Sequence, residues 1–346
     1  MKASIIIVNY NGKIFLEDCL NSLLNQSFQD FEIILVDNNS NDGSAEYLKQ
    51  NFILDNMFLI ESKMNLGFAG GNNLGFGHCK GEFIVLLNND TVADKDWLKY
   101  LIECIESDER TGIAQSLVIT EGIPMKYYQK NGTINLLGHN IMEVFEIDKN
   151  GYGEIFQANG CSLIIRKSLV GLLNGLFLDE YFAYSEDSFL CFKVKFKNLK
   201  ILHTSKSIVH HKGGGASREK KPSFLYFYQE RNRLLNFLLF FQDRFFLKYI
   251  PYLILNFFMK LILSVFSQKY SAVQLIKAYW WFIVNLRWIR QEKHILNNLK
   301  SADQNSVLGF ISCKIFNGDN FIERIINSFS VFYCRLVNLK VLENKN

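Results

Sequence analysis

The chain has 346 residues, of which 49% are hydrophobic and 21% charged, enough apolar material for a buried core and no basis for global disorder. With 3 Pro and 22 Gly it is neither collagen-like nor a string of linkers. The net charge of +4 is uneven: residues 1–200 carry 17 Lys+Arg against 26 Asp+Glu, whereas residues 201–346 carry 21 against 8.

In chain order, residues 4–9 (SIIIVN) form a β-branched run of the kind that makes a buried parallel strand. Ile14, Leu16, Cys19, Leu20, Leu23 and Leu24 then recur at mostly helical spacing. A second strand is predicted at 32–36, followed by a polar run at 37–44 and a helix over 45–51. A third apolar segment, 57–61, leads into a Gly/Asn-rich stretch, and a fourth strand, 82–87 (EFIVLL), ends at Asn88-Asn89-Asp90. This alternation predicts an α/β fold, a sheet wrapped by helices, with polar clusters at the carboxyl ends of strands, where such sheets bind ligands.

Residues 110–215 read as mixed strands and loops, and from Ser223 the pattern changes to long, aromatic, helix-like segments. The stretch 245–266 contains Lys248, Pro251, Asn256 and Lys260, which makes it borderline against the about 20 predominantly apolar residues of a clean membrane span. Residues 274–293 (QLIKAYWWFIVNLRWIRQEK) carry basic residues towards both ends and aromatics between, the pattern of an interfacial helix or of a bundle helix covering the first part of the chain. A basic, aromatic-rich second part fits an anionic membrane surface better than nucleic acid. The seven Cys have no CxxC spacing, so neither a disulfide framework nor a thiolate zinc site is expected, and a reducing cytosol is the simplest compartment. The N-terminal apolar run is too short for a signal peptide, so no export is expected.

Several segments carry candidate chemistry. Asp37 opens the run DNNSNDGS at a strand end, suited either to hydrogen-bonding a nucleoside or to capping the next helix. The stretch NLGFAGGNN at 65–73 is similar to a phosphate-cradling glycine loop but lacks GxGxxG spacing, which argues against NAD. Asp90, just beyond a buried strand, suits either a hard divalent cation that also takes phosphate oxygens, or a helix cap. Glu186 and Asp187 stand ahead of an amphipathic helix, as favourable N-terminal charges or as a general base. His210 and His211 are neighbours on a strand-like segment, so their side chains point to opposite faces and at most one serves a site.

Taken in order, NYNG at 9–12, VDNNSNDGS at 36–44, NLGFAGGNN at 65–73, LLNNDT at 86–91, ANGCSLIIRK at 158–167, YSED at 184–187 and VHHKGGGAS at 209–217 resemble the inverting family 2 glycosyltransferases of the GT-A nucleotide-sugar fold. The NLGFAGGNN and NND forms look most like the rhamnosyltransferase-type branch. The resemblance implies a Rossmann-like mixed sheet over residues 1–217, with a helical, membrane-associating extension over 218–300 and a tail over 301–346. It implies transfer of a sugar from a dTDP-rhamnose or UDP-sugar donor to a cell-surface polysaccharide or lipid-linked glycan, at the cytoplasmic face of the membrane. The rival is a non-catalytic nucleotide-sugar-binding or scaffold protein of the same fold.

Position by position, the resemblance makes Asp37 the nucleoside-binding acid and Asn9 a first-strand contact, with Asn65, Gly67, Asn72 and Asn89 also at the nucleotide-sugar. Asp90 matches the last acid of the DxD motif, whose first position is here Asn88, and would hold Mn²⁺ or Mg²⁺ with His210, or with His211 if the register slips by one. Asp187 matches the catalytic base, with Glu186 beside it. Arg231 either reaches the nucleotide-sugar or acceptor, or fixes the helical tail to the catalytic domain.

Overall fold

The structure, a computed structural model, describes all residues except 122–130, 143–147, 149–150, 214–222, 269, 319 and 343–346. The chain begins β1 (Ala3–Asn9), α1 (Lys13–Leu24), β2 (Phe31–Asp37), α2 (Ser44–Asn51), β3 (Met57–Glu61), α3 (Gly67–Phe76) and β4 (Phe83–Leu87). Short β5 (Thr91–Ala93) and α4 (Trp97–Glu106) lead to the long β6 (Thr111–Thr120), and β7 (Asn131–Ile134) pairs with β8 (Asn140–Met142) as a separate ribbon. β9 (Tyr152–Glu154), β10 (Ser162–Arg166), α5 (Lys167–Leu172), α6 (Glu186–Phe196) and β11 (Lys200–His211) complete the sheet domain.

Among the described residues the main sheet runs β3-β2-β1-β4-β10-β6-β11-β5, with β9 beside β11. Its first four strands are parallel, β10 is antiparallel to both neighbours, and β11 is parallel to β6. Both faces are covered, because alternate side chains of one strand enter different cores: Ile6, Ile34 and Ile84 join one, and Ile5, Ile7, Ile33 and Val85 the other. The chain builds outward from β1 to β2 and β3, then returns to the other side of β1 with β4. The strand order therefore reverses at the carboxyl ends of β1 and β4, the crevice where open α/β sheets hold ligands.

The glycine-rich stretch differs from the phosphate-loop likeness: Gly67 to Phe76 is helix α3. A Cβ at Gly71 would lie 2.7 Å from Val8, and one at Gly75 2.6 Å from Ile6. These glycines let the helix backbone approach the sheet closely.

Six further helices follow: α7 (Ser223–Phe240), α8 (Asp243–Phe266), α9 (Ala272–Val284), α10 (Leu286–Leu299), α11 (Gln304–Leu308) and α12 (Phe321–Leu336). The aromatic segment 274–293, read as one interfacial or bundle helix, is two helices divided at Asn285. α7 joins the sheet domain through stacked rings, Phe192 on Phe240 at 5.1 Å and Phe196 on Phe240 at 5.7 Å. One apolar cluster runs from Ile6 through α7 and α8 to Val341, so the three segments expected from the sequence share a core. The tail returns to the sheet domain, with Asn135 donating to the Ile315 carbonyl at 2.8 Å.

α8 turns Tyr249, Tyr252, Asn256 and Lys260 inward and leaves Leu247, Ile254, Phe258 and Val265 exposed. Of the polar residues that interrupt its apolar run, Lys248 is half-buried, whereas Asn256 and Lys260 lie on its inner face. There Glu230 accepts from both Arg233 and Lys260, Arg233 donates to the Leu137 carbonyl and, at 3.0 Å, to Asn256, and Lys260 lies 3.3 Å from His139. This buried network bolts α7 and α8 to the turn between β7 and β8; removing one partner of such a network strands a buried charge.

Candidate active site

Asn9 and Asp37 end β1 and β2 and sit opposite each other in register. The Asn9 amide donates to Asp37 Oδ1 at 3.1 Å and to the Ser40 hydroxyl at 3.2 Å, and its carbonyl accepts from the Asn89 amide at 2.7 Å. One buried side chain therefore ties together the ends of β1, β2 and β4. Asp37 Oδ2 accepts the Ser40 amide at 3.1 Å, so the turn-stabilising use of this acid is also present.

Asn38, not singled out from the sequence, organises the next turn. It donates to Asn65 Oδ1 at 3.1 Å and to the Gly67 carbonyl at 2.9 Å, and accepts from the Leu66 amide at 2.9 Å. Gly67 has φ +70°, and a Cβ there would lie 2.3 Å from the Phe182 carbonyl oxygen, so only glycine fits. Asn72 is buried on α3 and donates to the Phe68 carbonyl at 2.9 Å; unlike Asn9 and Asn89, it is spent within its own helix.

Asp90 is buried just beyond β4, with Oδ1 3.1 Å from Nε2 of His211. It is His211 that meets Asp90, whereas the expected His210 lies on the other face of β11, half-exposed and 3.1 Å from Asp94. Strand alternation allows one of the two, and the pairing of His211 with Thr91 decides which. A carboxylate and an imidazole are ligands that Mn²⁺ or Mg²⁺ could take alongside water and phosphate oxygens. Among the described residues no three His, Cys, Asp or Glu side chains gather into a metal-holding group, so this pair would supply only part of a coordination shell. Positions 214–217 of the same motif lie outside the described residues.

Asp187 stands in the first turn of α6, where Oδ1 accepts the Ser188 amide at 2.7 Å and Oδ2 meets the Gly160 amide at 3.5 Å. Burial pushes its carboxyl above the usual range, against these hydrogen bonds that favour the charged form. Glu186 is pushed well above its ordinary value, by burial first and the neighbouring Asp187 charge second. Both carboxyls are thus biased towards the protonated form, Glu186 more strongly than Asp187. The site is continuous with the β4 end, because the Asn88 amide donates to the Cys161 carbonyl at 3.0 Å, one residue from Gly160.

The loop carrying these acids is strained: Phe182, Tyr184 and Ser185 have φ of +58°, +71° and +63°. α7 holds it. The Asn232 amide reaches the carbonyl oxygens of Tyr181, Ala183 and Tyr184 at 2.8, 2.9 and 2.8 Å, and Asn236 donates to that of Ser185 at 3.1 Å. Arg231 belongs to this clamp and not to the nucleotide crevice. It is buried, donates to the Glu180 carbonyl and lies over the rings of Phe227, Tyr228 and Trp281 at 4.7 to 5.0 Å. Burial lowers its pKa to about 10, which leaves it cationic at neutral pH.

Comparisons with known proteins agree with this geometry. The family model for glycosyl transferase family 2 matches residues 4–172. Glycosyltransferase GlyA of Streptococcus pneumoniae is 24% identical over 215 residues, covering 60% of this chain and 30% of its own. The chain spans about a third of the length of the first curated relatives it matches. Among solved structures, S. aureus TarS 1-349 in complex with UDP superposes with a TM-score of 0.55 at 17% identity, over 97% of this chain and 90% of that one. GalNAc-T7 with UDP, GalNAc and Mn²⁺ gives 0.60 at 16% identity, over 70% and 48%. The fold is therefore the mixed α/β GT-A architecture with a helical C-terminal region, and the sequence matches support family 2 for residues 4–172.

Proposed function

We propose that the chain is an inverting glycosyltransferase that moves a sugar from a nucleoside-diphosphate donor to a hydroxyl of a cell-surface or lipid-linked glycan. The observation that carries this reading is the side-chain chain at the switch point. Asn9 joins Asp37 to Asn89, Asp90 and His211 stand beside it, and Asp187 is reached through Asn88, Cys161 and Gly160. A non-catalytic scaffold has no need of a base held in a strained loop next to that crevice.

In this reading Asp37 accepts hydrogen bonds from the nucleoside, and Asp90 with His211 would hold the divalent cation. That cation, when bound, neutralises charge on the leaving diphosphate. Asp187 takes the proton of the acceptor hydroxyl as its oxygen bonds to the anomeric carbon. The bond from that carbon to the diphosphate breaks on the opposite face, which inverts the configuration. No cysteine serves as nucleophile: all seven are buried, and burial pushes Cys19 and Cys79 up to about 12.

The UDP named with both structural neighbours favours a UDP-sugar over dTDP-rhamnose. The exposed apolar faces of α8 and α12, including Phe258, Val265, Phe329 and Phe332, favour attachment to the cytoplasmic face of a membrane, aided by the basic second part. α8 is also long and apolar enough to cross a bilayer by length and composition, though its inner face carries Lys260 and Asn256. The test is a screen of UDP- and dTDP-sugars for nucleotide release by the full chain with Mn²⁺ or Mg²⁺. Metal-dependent turnover of one donor is expected, and an inert, non-binding chain across the panel contradicts the reading.

A further inference from the structure

A cavity of about 430 Å³ lies between α7, α8, α9 and α10 and shares no lining residue with the space beside Asp187. Its volume is within the about 300–1,000 Å³ of small-ligand pockets. Phe237 and Phe241 of α7, Phe245 of α8, Tyr279 and Phe282 of α9 and Ile289 of α10 form its walls. Phe241 stacks on Phe237 at 5.7 Å and on Phe245 at 4.5 Å, which makes one wall a continuous ladder of rings. The Tyr279 hydroxyl is spent elsewhere, donating to the Leu253 carbonyl at 2.9 Å and accepting from Asn256 at 3.0 Å. Among the described residues that line the cavity, no buried side-chain polar atom lacks a partner. Such an interior has nothing to offer water, a sugar or a nucleotide, and it suits hydrocarbon.

The other polar lining residues, Gln242, Asp243, Arg290 and Lys293, stand together where the cavity meets solvent. Lys293 pairs with Asp243 at 2.7 Å, and Arg290 lies one turn earlier on the same face of α10. Asp243 is 97% exposed, so this ion pair is weak and open to exchange with another anion. Arg290 also borders an adjoining depression with Arg287, which leaves the rim cationic despite Asp243. Ile283 and Leu286 line the mouth and are exposed, and Ile276, Trp280 and Ile283 continue that apolar surface along one face of α9. We propose that the cavity takes one hydrocarbon chain of an anionic membrane phospholipid, whose phosphate rests on Arg290 and Lys293. This rests on the membrane reading above and goes beyond it. Attachment to a charged surface needs no pocket, whereas here a single lipid leaves the bilayer along α9 and is held by chain and headgroup together.

The experiment is calorimetry of the full chain, without vesicles, against submicellar dodecyl phosphate, a dodecyl ether of polyethylene glycol and inorganic phosphate. Dodecyl phosphate binds with one-to-one saturation, the uncharged ether at least tenfold more weakly, and inorganic phosphate not at all. Arg290→Gln with Lys293→Gln, both at the surface, lowers dodecyl phosphate affinity about tenfold or more and leaves the ether unchanged. Leu286→Asp, at the exposed start of α10 where an acid is tolerated, weakens both amphiphiles by about tenfold. Equal affinity for phosphate and ether, or binding indifferent to the three substitutions, overturns the proposal. So does a chain that sediments as a dimer and binds neither amphiphile, since a second copy then covers this face. Flotation of the chain on anionic vesicles without dodecyl phosphate binding overturns the pocket and leaves surface attachment in place. The expected binding pattern in a chain indifferent to vesicles overturns the assignment to a membrane lipid.

Discussion

Removal of the Asn232 amide separates the strain in the base loop from the groups that hold it. Three residues of that loop occupy positive φ, each costing about 1 kcal/mol or more outside a supporting structure. Asn232 is fully buried, and its amide reaches three loop carbonyls, those of Tyr181, Ala183 and Tyr184. The amide has two protons to share among them, so at about 1 kcal/mol per hydrogen bond these contacts contribute roughly 2 kcal/mol, which offsets most of the strain they oppose. Asn232→Ala should therefore lower unfolding free energy by about 2–3 kcal/mol in urea denaturation and let the loop relax. A base displaced by about 1 Å can cost on the order of 100-fold in rate, so kcat should fall by that order while UDP affinity in calorimetry stays near wild type. A destabilised variant with unchanged kcat would show that Asn232 is only a packing residue. Loss of UDP affinity in step with kcat would place its effect in the nucleotide crevice instead.

Asp90→Ala and His211→Ala should each weaken Mn²⁺-dependent UDP binding by tenfold or more in calorimetry, while His210→Ala, on the opposite face of β11, leaves it unchanged; the reverse order for the two histidines would refute the assignment. Because the Glu186 carboxyl is raised above its ordinary value of 4.5, its folded-state proton contributes stability that is complete below about pH 4.5 and is lost as pH rises towards the folded value. Glu186→Gln removes that dependence, so the melting temperature of wild type relative to the variant should decline as pH rises from 4.5, and a pH-independent difference contradicts it. Flotation with vesicles should require anionic lipid and weaken at high salt, since each surface cation contributes about 1 kcal/mol. A full chain indifferent to lipid would sink the membrane reading and spare the transferase one.

Much of the sheet was legible because buried strands write themselves as β-branched runs. The strand expected at 57–61 coincides with β3, and those expected at 4–9, 32–36 and 82–87 differ from β1, β2 and β4 by a residue at one or both ends. α3 was not legible, because seven of its ten residues are small or polar and hide its period, and its glycines serve close approach to Val8 and Ile6 across the fold. The choice between His210 and His211 depends on which face of β11 meets β5, and no local pattern carries that. Asn232 and Asn236 did leave a trace: two Asn four apart inside an apolar helix share one face, and buried amides there need partners. Arg231 beside them invited a role at the nucleotide-sugar or acceptor as well as one in fixing the helical tail, and its surroundings are aromatic rings and a carbonyl.

The central claim is that Asp187 is the base of a sugar transfer, and Asp187→Asn tests it with the smallest change in shape. With the donor found in the screen, the account predicts wild-type nucleotide-sugar affinity and a transfer rate lower by about 10²–10⁴-fold, because the amide cannot take the acceptor proton. An Asp187→Asn chain that transfers sugar at the wild-type rate would contradict it.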